Sequence, residues 1–365
     1  MKVSIGKALS KKKIVAILIV LAAALVMFFS NPEIGDFFMK EDSVSLSFQT
    51  GIEYDVVPYK NEMLMINNEG IYAIDRSGRE SWNMVSTATS PYVLVKENNI
   101  LLADLSGRKI RTFQGEKIVS EIETQNEILS ARVNKNGYIA MATSELGYKG
   151  LAVLYDNHGK EIYRWHSGAG YIGAIDVSPN NRLAVSQLVT DKEEVYSKIL
   201  LINPKAEEEP KCIAELKGIV TKLQYTENGF LIALSNNGLY GFKKSGKEKF
   251  SVDFSGRRLL KCNIENQNNM VLAFDSGLNS TVLESYSSSG KLRGSLDTGG
   301  EVNTIDANGE CIVAVSHDKI IRLNPKGTVS KEIKINTDVK TVKIFGDRSR
   351  ILVLGDGGAE IMNIK

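Results

Sequence analysis

The sequence predicts an all-β fold, an eight-bladed β-propeller preceded by one N-terminal transmembrane helix. Three observations carry that prediction. A strand–turn–strand phrase recurs at the spacing of a four-stranded blade, and an unbroken apolar run stands near the amino end behind a cluster of lysines. An alternating strand at 43–50 also precedes the first repeat, while the last repeat lacks its outer strand. Composition sets the limits. Of 365 residues, 43% are apolar and 24% charged, which excludes both a disordered chain and a polytopic membrane protein. A net charge of +2 supplies no field for nucleic acid, so none is expected as partner.

Residues 14–29 read IVAILIVLAAALVMFF, without a charge, behind Lys2, Lys7, Lys11, Lys12 and Lys13. A helix of that length covers about 24 Å, and Ser30 and the lysine stems extend it toward the roughly 30 Å hydrocarbon core. The lysines keep the amino end in the cytoplasm, so the rest of the chain is expected outside. The predicted division is a cytoplasmic basic segment (1–13), a transmembrane signal anchor (14–30), a tether (31–42) and a propeller (43–365). A cleaved signal peptide is the competing reading. Ala22 and Ala24 have the spacing for cleavage, but the cut would leave Leu-Val-Met-Phe-Phe on the mature end, and a cut after Ser30 would put Phe28 at the −3 position.

Beyond residue 42 the chain shows short apolar runs at β-spacing, bounded by Gly, Asn, Asp or Ser. The recurring phrase is clearest in IYAIDRSGRESW (71–82), LAVLYDNHGKEIYRW (151–165), GLYGFKKSGKEKF (238–250), VLESYSSSGKLRGSL (282–296) and KIIRLNPKGTVSKEI (319–333). Weaker copies lie at 109–122 and 198–216. Turn positions 78, 115, 159, 206, 246, 290 and 327 are 37 to 47 residues apart, the size of a propeller blade. Two further strands precede each phrase, so a blade reads A, B, C, D from the axis outward. After 337 only A, B and C follow. Residues 43–50 are therefore expected to supply the missing D strand and close the ring, which leaves no open edge. Seven blades is the alternative, if 86–122 is not a true blade.

The phrases AIDRSGRESW and YDNHGKEIYRW resemble the blade signature of quinoprotein-type propellers, in which Ala-x-Asp precedes a turn, Gly-Lys and a tryptophan. Ala73, Asp75, Gly78, Arg79 and Trp82 match in one blade, and Asp156, Gly159, Lys160 and Trp165 match in part in another. The turn is one residue shorter than the family form. The resemblance implies the propeller fold and tryptophans packed between blades. It would also imply a funnel of carboxylate, Asn and Arg for a quinone cofactor, and no such set is identifiable here. Anchor and repeat together are similar to membrane-anchored propeller proteins of unknown function from Gram-positive, spore-forming bacteria, which implies an address but no activity.

Catalytic residues are scarce. There are three histidines and three scattered cysteines, no Gly-x-Ser-x-Gly elbow and no metal-ligand spacing, so neither cofactor nor metal is expected. Gly-Lys/Arg turns at Arg79, Lys160, Lys247 and Lys291 share a face with the A–B turns and read as solvated turn chemistry. Asp104, Asp191, Asp275, Asp318 and Asp356 end B strands around the other mouth, where tight turns also demand Asp. That second face carries the longest predicted loops, at 84–91, 143–150, 166–172 and 189–197. Loops on a rigid scaffold carry recognition, so Thr87, Tyr148, Lys149, His166, Tyr171, Glu193 and Tyr196 are the candidate contact residues. The expected function is an extracytoplasmic binding or scaffold module for a protein or a cell-envelope polymer, held to the membrane by its N-terminal helix. The alternative is a quinoprotein-like or carbohydrate-processing enzyme using the central funnel.

Overall fold

The structure, a computed structural model, describes residues 43–47, 52–191, 194–206, 208–277, 279–336 and 338–365. The anchor and tether expected over 1–42 lie outside the described residues, among which no helix is long and apolar enough to cross a membrane.

The described elements are strands, arranged as eight four-stranded antiparallel sheets. Seven sheets are consecutive in sequence, spanning 55–85, 91–123, 128–167, 171–217, 220–253, 259–297 and 302–334. They are blades 1 to 7. The seven-blade alternative fails because 91–123 is a complete blade with four paired strands. Blade 8 takes Val339–Ile344, Arg350–Gly355 and Gly358–Asn363 from the end of the chain. Its outer strand is Val44–Ser47, antiparallel to Gly358–Asn363 with Val44 opposite Ile361 and Ser47 opposite Gly358. Residues 48–50 of the expected closing strand lie outside the described residues.

Each blade buries both faces of its middle strands against its neighbours. Strand B of blade 3, Ile139–Thr143, shows why. Ile139 and Met141 pack into the core shared with blade 2, whereas Ala140 and Ala142 enter the core shared with blade 4. Eight such apolar clusters occur, one at every blade junction, the last joining blade 8 to blade 1 through Val56, Met63, Leu352 and Ile361. A fully buried Ile or Leu is worth about 1.5–3 kcal/mol, so every junction, including the seam, is held by a core of comparable kind. Trp82 and Trp165 belong to two of these junctions, half-buried against the 1–2 and 3–4 clusters. Trp82 also donates its indole N–H to Glu62 at 3.2 Å. They are packing residues, as their outer-strand position and the family resemblance imply.

The antiparallel order puts the A–B and C–D turns on one face of the disc and the B–C and D–A connections on the other. In the C–D turns of this first face the polar side chains are consumed locally. Asp75 accepts from the backbone N–H of Ser77 (2.7 Å) and Arg79 (3.0 Å) and from the Arg79 guanidinium. Asp156 accepts from His158 and Lys160 N–H, both at 2.9 Å. Asn324 does the same for Lys326 and Thr328. The glycine ending each such turn has positive φ, as at Gly159 (80°) and Gly327 (82°), a conformation that L side chains avoid. Burial would raise the Asp75 carboxyl, but its hydrogen bonds from Ser77 and Arg79 prevail and hold it down at about 2.

Candidate functional site

Four of the seven candidate residues come together on the opposite, loop face. Tyr148 and Lys149 lie in the B–C connection of blade 3, between strands Ile139–Thr143 and Gly150–Tyr155. His166 lies near the end of Glu161–Ser167 and Tyr171 at the start of Tyr171–Val177, on either side of the 168–170 connection. The rings of Tyr148 and His166 stack with centroids 4.4 Å apart. The Lys149 ammonium sits 4.9 Å from the centre of the Tyr171 ring and 3.5 Å from its hydroxyl. The connection is fixed by Tyr148 N–H bonding Glu145 O and Lys149 N–H bonding Ser167 O. Beneath it, Ser167 accepts from the Gln187 side chain at 2.7 Å. Two aromatic rings thus stand on a rigid base, Tyr171 60% and Tyr148 50% exposed.

The remaining candidates are dispersed. Thr87 is exposed in the 86–90 connection between blades 1 and 2, apart from these four. Glu193 lies outside the described residues. Tyr196 belongs to strand Glu194–Ile202, its ring 5.8 Å from the Lys198 ammonium. The described part of the expected loop at 189–197 is instead paired strand, with Val189 opposite Tyr196 and Asp191 opposite Glu194. The β-branched residues Val189, Thr190 and Val195 carry strand pairing further than the neighbouring charges suggest. For the same reason the connections at 143–150 and 166–172 are shorter than expected, since their end residues pair as strands.

Three of the five aspartates expected at this mouth are committed to local bonds. Asp104 accepts from Ser90 N–H at 2.8 Å, Asp275 from Gly277 N–H at 2.9 Å, and Asp356 pairs with Lys340 at 3.0 Å. Among the described residues no group of three metal-ligating side chains occurs.

A second polar region was not singled out from the sequence. The innermost strands bring charged groups together around the axis. Asp176 accepts from Tyr225 N–H at 2.5 Å, and Asp306 from Ile344 N–H at 2.8 Å and Asn263 Nδ2 at 3.0 Å. Burial pushes both carboxyls above their ordinary range. Lys222 pairs with Glu265 at 2.8 Å; burial opposes the Glu265 charge, and the Lys222 ammonium more than offsets it, so the carboxyl is held low. Arg132 donates to the Tyr92 hydroxyl. At the turn-face end, Lys96, Asn134, Asp176, Tyr225, Glu227 and Gln267 line a cavity of about 80 Å³. These groups tie neighbouring blades: Asp176 joins blades 4 and 5, and Asp306 joins 6, 7 and 8. The available signal was a charged residue near the end of an otherwise apolar A strand (Arg132, Asp176, Asp306, Lys343).

Ring, seam and sheet order define a β-propeller. The chain belongs to a family of unknown function (DUF5711), whose family model matches residues 40–364. No curated protein sequence matches it. Solved structures similar in fold include BamB from Moraxella catarrhalis, at 11% identity and a TM-score of 0.53, covering 88% of this chain and 100% of that one. The C-terminal WD40 domain of Sif2 gives 11% identity and a TM-score of 0.60, over 88% and 97% of the two chains. The Dos1 propeller gives 12% and 0.58, over 88% and 95%. At such identities the likeness is one of fold.

Proposed function

We propose that this protein is a binding or scaffold module, anchored to the membrane by residues 14–29, that engages a macromolecular partner outside the cytoplasm through the loop face of blades 3 and 4. The observation that carries the reading is the pair of half-exposed tyrosines, Tyr148 and Tyr171, each braced by a neighbouring side chain on the loop face. Aromatic rings held rigid and half in water bring contact area at little entropic cost. Among the described residues no aromatic side chain of the turn face is exposed to this degree. That solved proteins of this fold include one from the structure of the mitotic checkpoint complex accords with a role in assembly. The address rests on the lysine-flanked apolar run.

Photo-crosslinking in living cells tests the reading. A benzophenone amino acid at Leu146 on the loop face is expected to give a discrete high-mass adduct, and one at Ser288 on the turn face is not. Adducts from Ser288 alone, or from neither position, would refute it. A reporter enzyme fused after Lys365 is expected to be active outside the cytoplasm; cytoplasmic activity would overturn the topology.

A further inference from the structure

We infer that the partner's contact is a protein segment carrying lysine or arginine beside an aliphatic or aromatic anchor; the inference rests on the binding-module reading and names its partner class. The first support is where apolar surface is left bare. Leu146 is 97% exposed, Ile219 44% and Val195 41%, alongside the two tyrosines. All five lie on the loop face of blades 3 to 5; among the described residues the loop face of blades 6 to 8 exposes no large apolar side chain, and blade 1 exposes a lone one there, Val85 at 82%. They fall on two sides of the blade 4 hairpin, Leu146, Tyr148 and Tyr171 as a strip on the blade 3 side and Val195 with Ile219 on the blade 5 side. Lys149 bridges to Tyr171, Tyr171 pairs with Leu188 at the base of the hairpin, and Gly218 N–H bonds Val195 O beside Ile219. Apolar side chains left bare side by side, rather than scattered singly, mark interaction sites.

The second support is the chemistry of the strip. Tyrosine rings alone would suit a sugar, but Leu146 beside them presents aliphatic surface that a polyhydroxylated chain cannot cover without stranding its hydroxyls. A protein side chain can cover it. The charges then choose the sign. Glu127 and Glu194 are exposed and Glu145 half-exposed along the strip, three carboxylates against two cations, Lys149 and the exposed Lys217 opposite Tyr196. Glu145 accepts only from Asn126 Nδ2, at 3.2 Å, and the nearby cation Lys149 is held over Tyr171. An anionic polymer would meet like charge there; a basic segment would meet its complement.

The third support is shape. The hairpin strands Leu183–Asp191 and Glu194–Ile202 run past the last pairs with their neighbours, Leu188 with Tyr171 and Tyr196 with Lys217. The strand Leu183–Asp191 thus projects by about 10 Å past Leu188 at strand rise. Tyr196 stands an even number of residues from Leu200, which packs in the blade 3–4 cluster. Its side chain is therefore on the face turned toward blade 3, where Tyr148 stands. Wall and platform bound one side of a basic, apolar guest.

The test uses the full chain in its own membrane, with the benzophenone amino acid at Leu146 and the crosslinked partner peptide sequenced by mass spectrometry. The expected peptide has net positive charge and at least one Leu, Ile, Val or aromatic residue. Glu127→Lys with Glu145→Lys is expected to cut adduct yield about tenfold or more, and Glu127→Gln with Glu145→Gln about threefold. Reversing the charge of the mapped partner residues should restore yield to the Lys variants. A glycan adduct, an acidic peptide, or a yield indifferent to these substitutions overturns the inference while leaving a binding module. No adduct from either face overturns the binding-module reading itself.

Discussion

The two faces of the disc are built from the same strands and spend their side chains differently. On the turn face, Asp75, Asp156 and Asn324 recur at equivalent places, and each bonds backbone N–H groups two and four residues on. A side chain bound into its own turn is not available to a partner. On the loop face of blades 3 to 5 the connections differ from one another, and Leu146, Tyr148 and Tyr171 stay in water. The lesson is that repetition marks what the fold needs, and departure from it marks what the fold can spare.

Substitutions sharpen that contrast, beginning with the largest effect. Gly327→Ala places a Cβ 2.3 Å from Ser295 O at φ +82°, and is expected to cost about 2–4 kcal/mol of unfolding free energy by denaturant titration. A cost below about 0.5 kcal/mol would mean that the turn face is not constrained as described. Asp156→Ala removes acceptors for two backbone N–H groups and is expected to cost about 1–2 kcal/mol.

Acid titration separates turn from axis by the sign of the slope. Asp75 is lowered from 3.8 to about 2, so its contribution is present above pH 4 and lost as pH falls toward 2. Asp75→Asn should flatten the acid limb there. Asp176 is raised, so the folded state holds its proton more tightly, and stability is lost as pH rises above 3.8 through the folded value. Asp176→Asn should remove that loss, gaining on the wild type toward neutral pH. Equal slopes for the two variants, from unfolding free energies measured at each pH, would contradict the assignment. The smallest stability effect belongs to the loop face. Tyr148→Ala and Tyr171→Ala should each shift stability by no more than about 0.5 kcal/mol while lowering the Leu146 crosslink about tenfold.

How much of this is legible in the sequence follows from the range of each signal. Alternation, the Gly-ended turns and the period are local, and they suffice for the eight sheets. The seam is legible because Val44–Ser47 alternates where the last blade lacks a D strand. The hairpin at Val189–Tyr196 is misread as a loop because Asp191 to Glu194 is a charged run, while pairing is decided by the residues around it. The axial network is invisible for another reason. Asp176 and Tyr225, or Asn263 and Asp306, are over forty residues apart, and only the closed ring makes them neighbours. Tyr148 and His166 fall between these cases: their loops are recognisable, and their stacking is not.

The central claim is that one face, in blades 3 to 5, meets the partner. Hydroxyl-radical footprinting of the full chain, in intact cells and after purification, tests it most directly. The account predicts that Tyr148, Tyr171 and Leu146 are protected in cells relative to the purified chain. Ile118 and Val329, exposed on outer strands beside the turn face, should react equally in both. Protection of Ile118 and Val329 with Tyr148 and Tyr171 unchanged would contradict it.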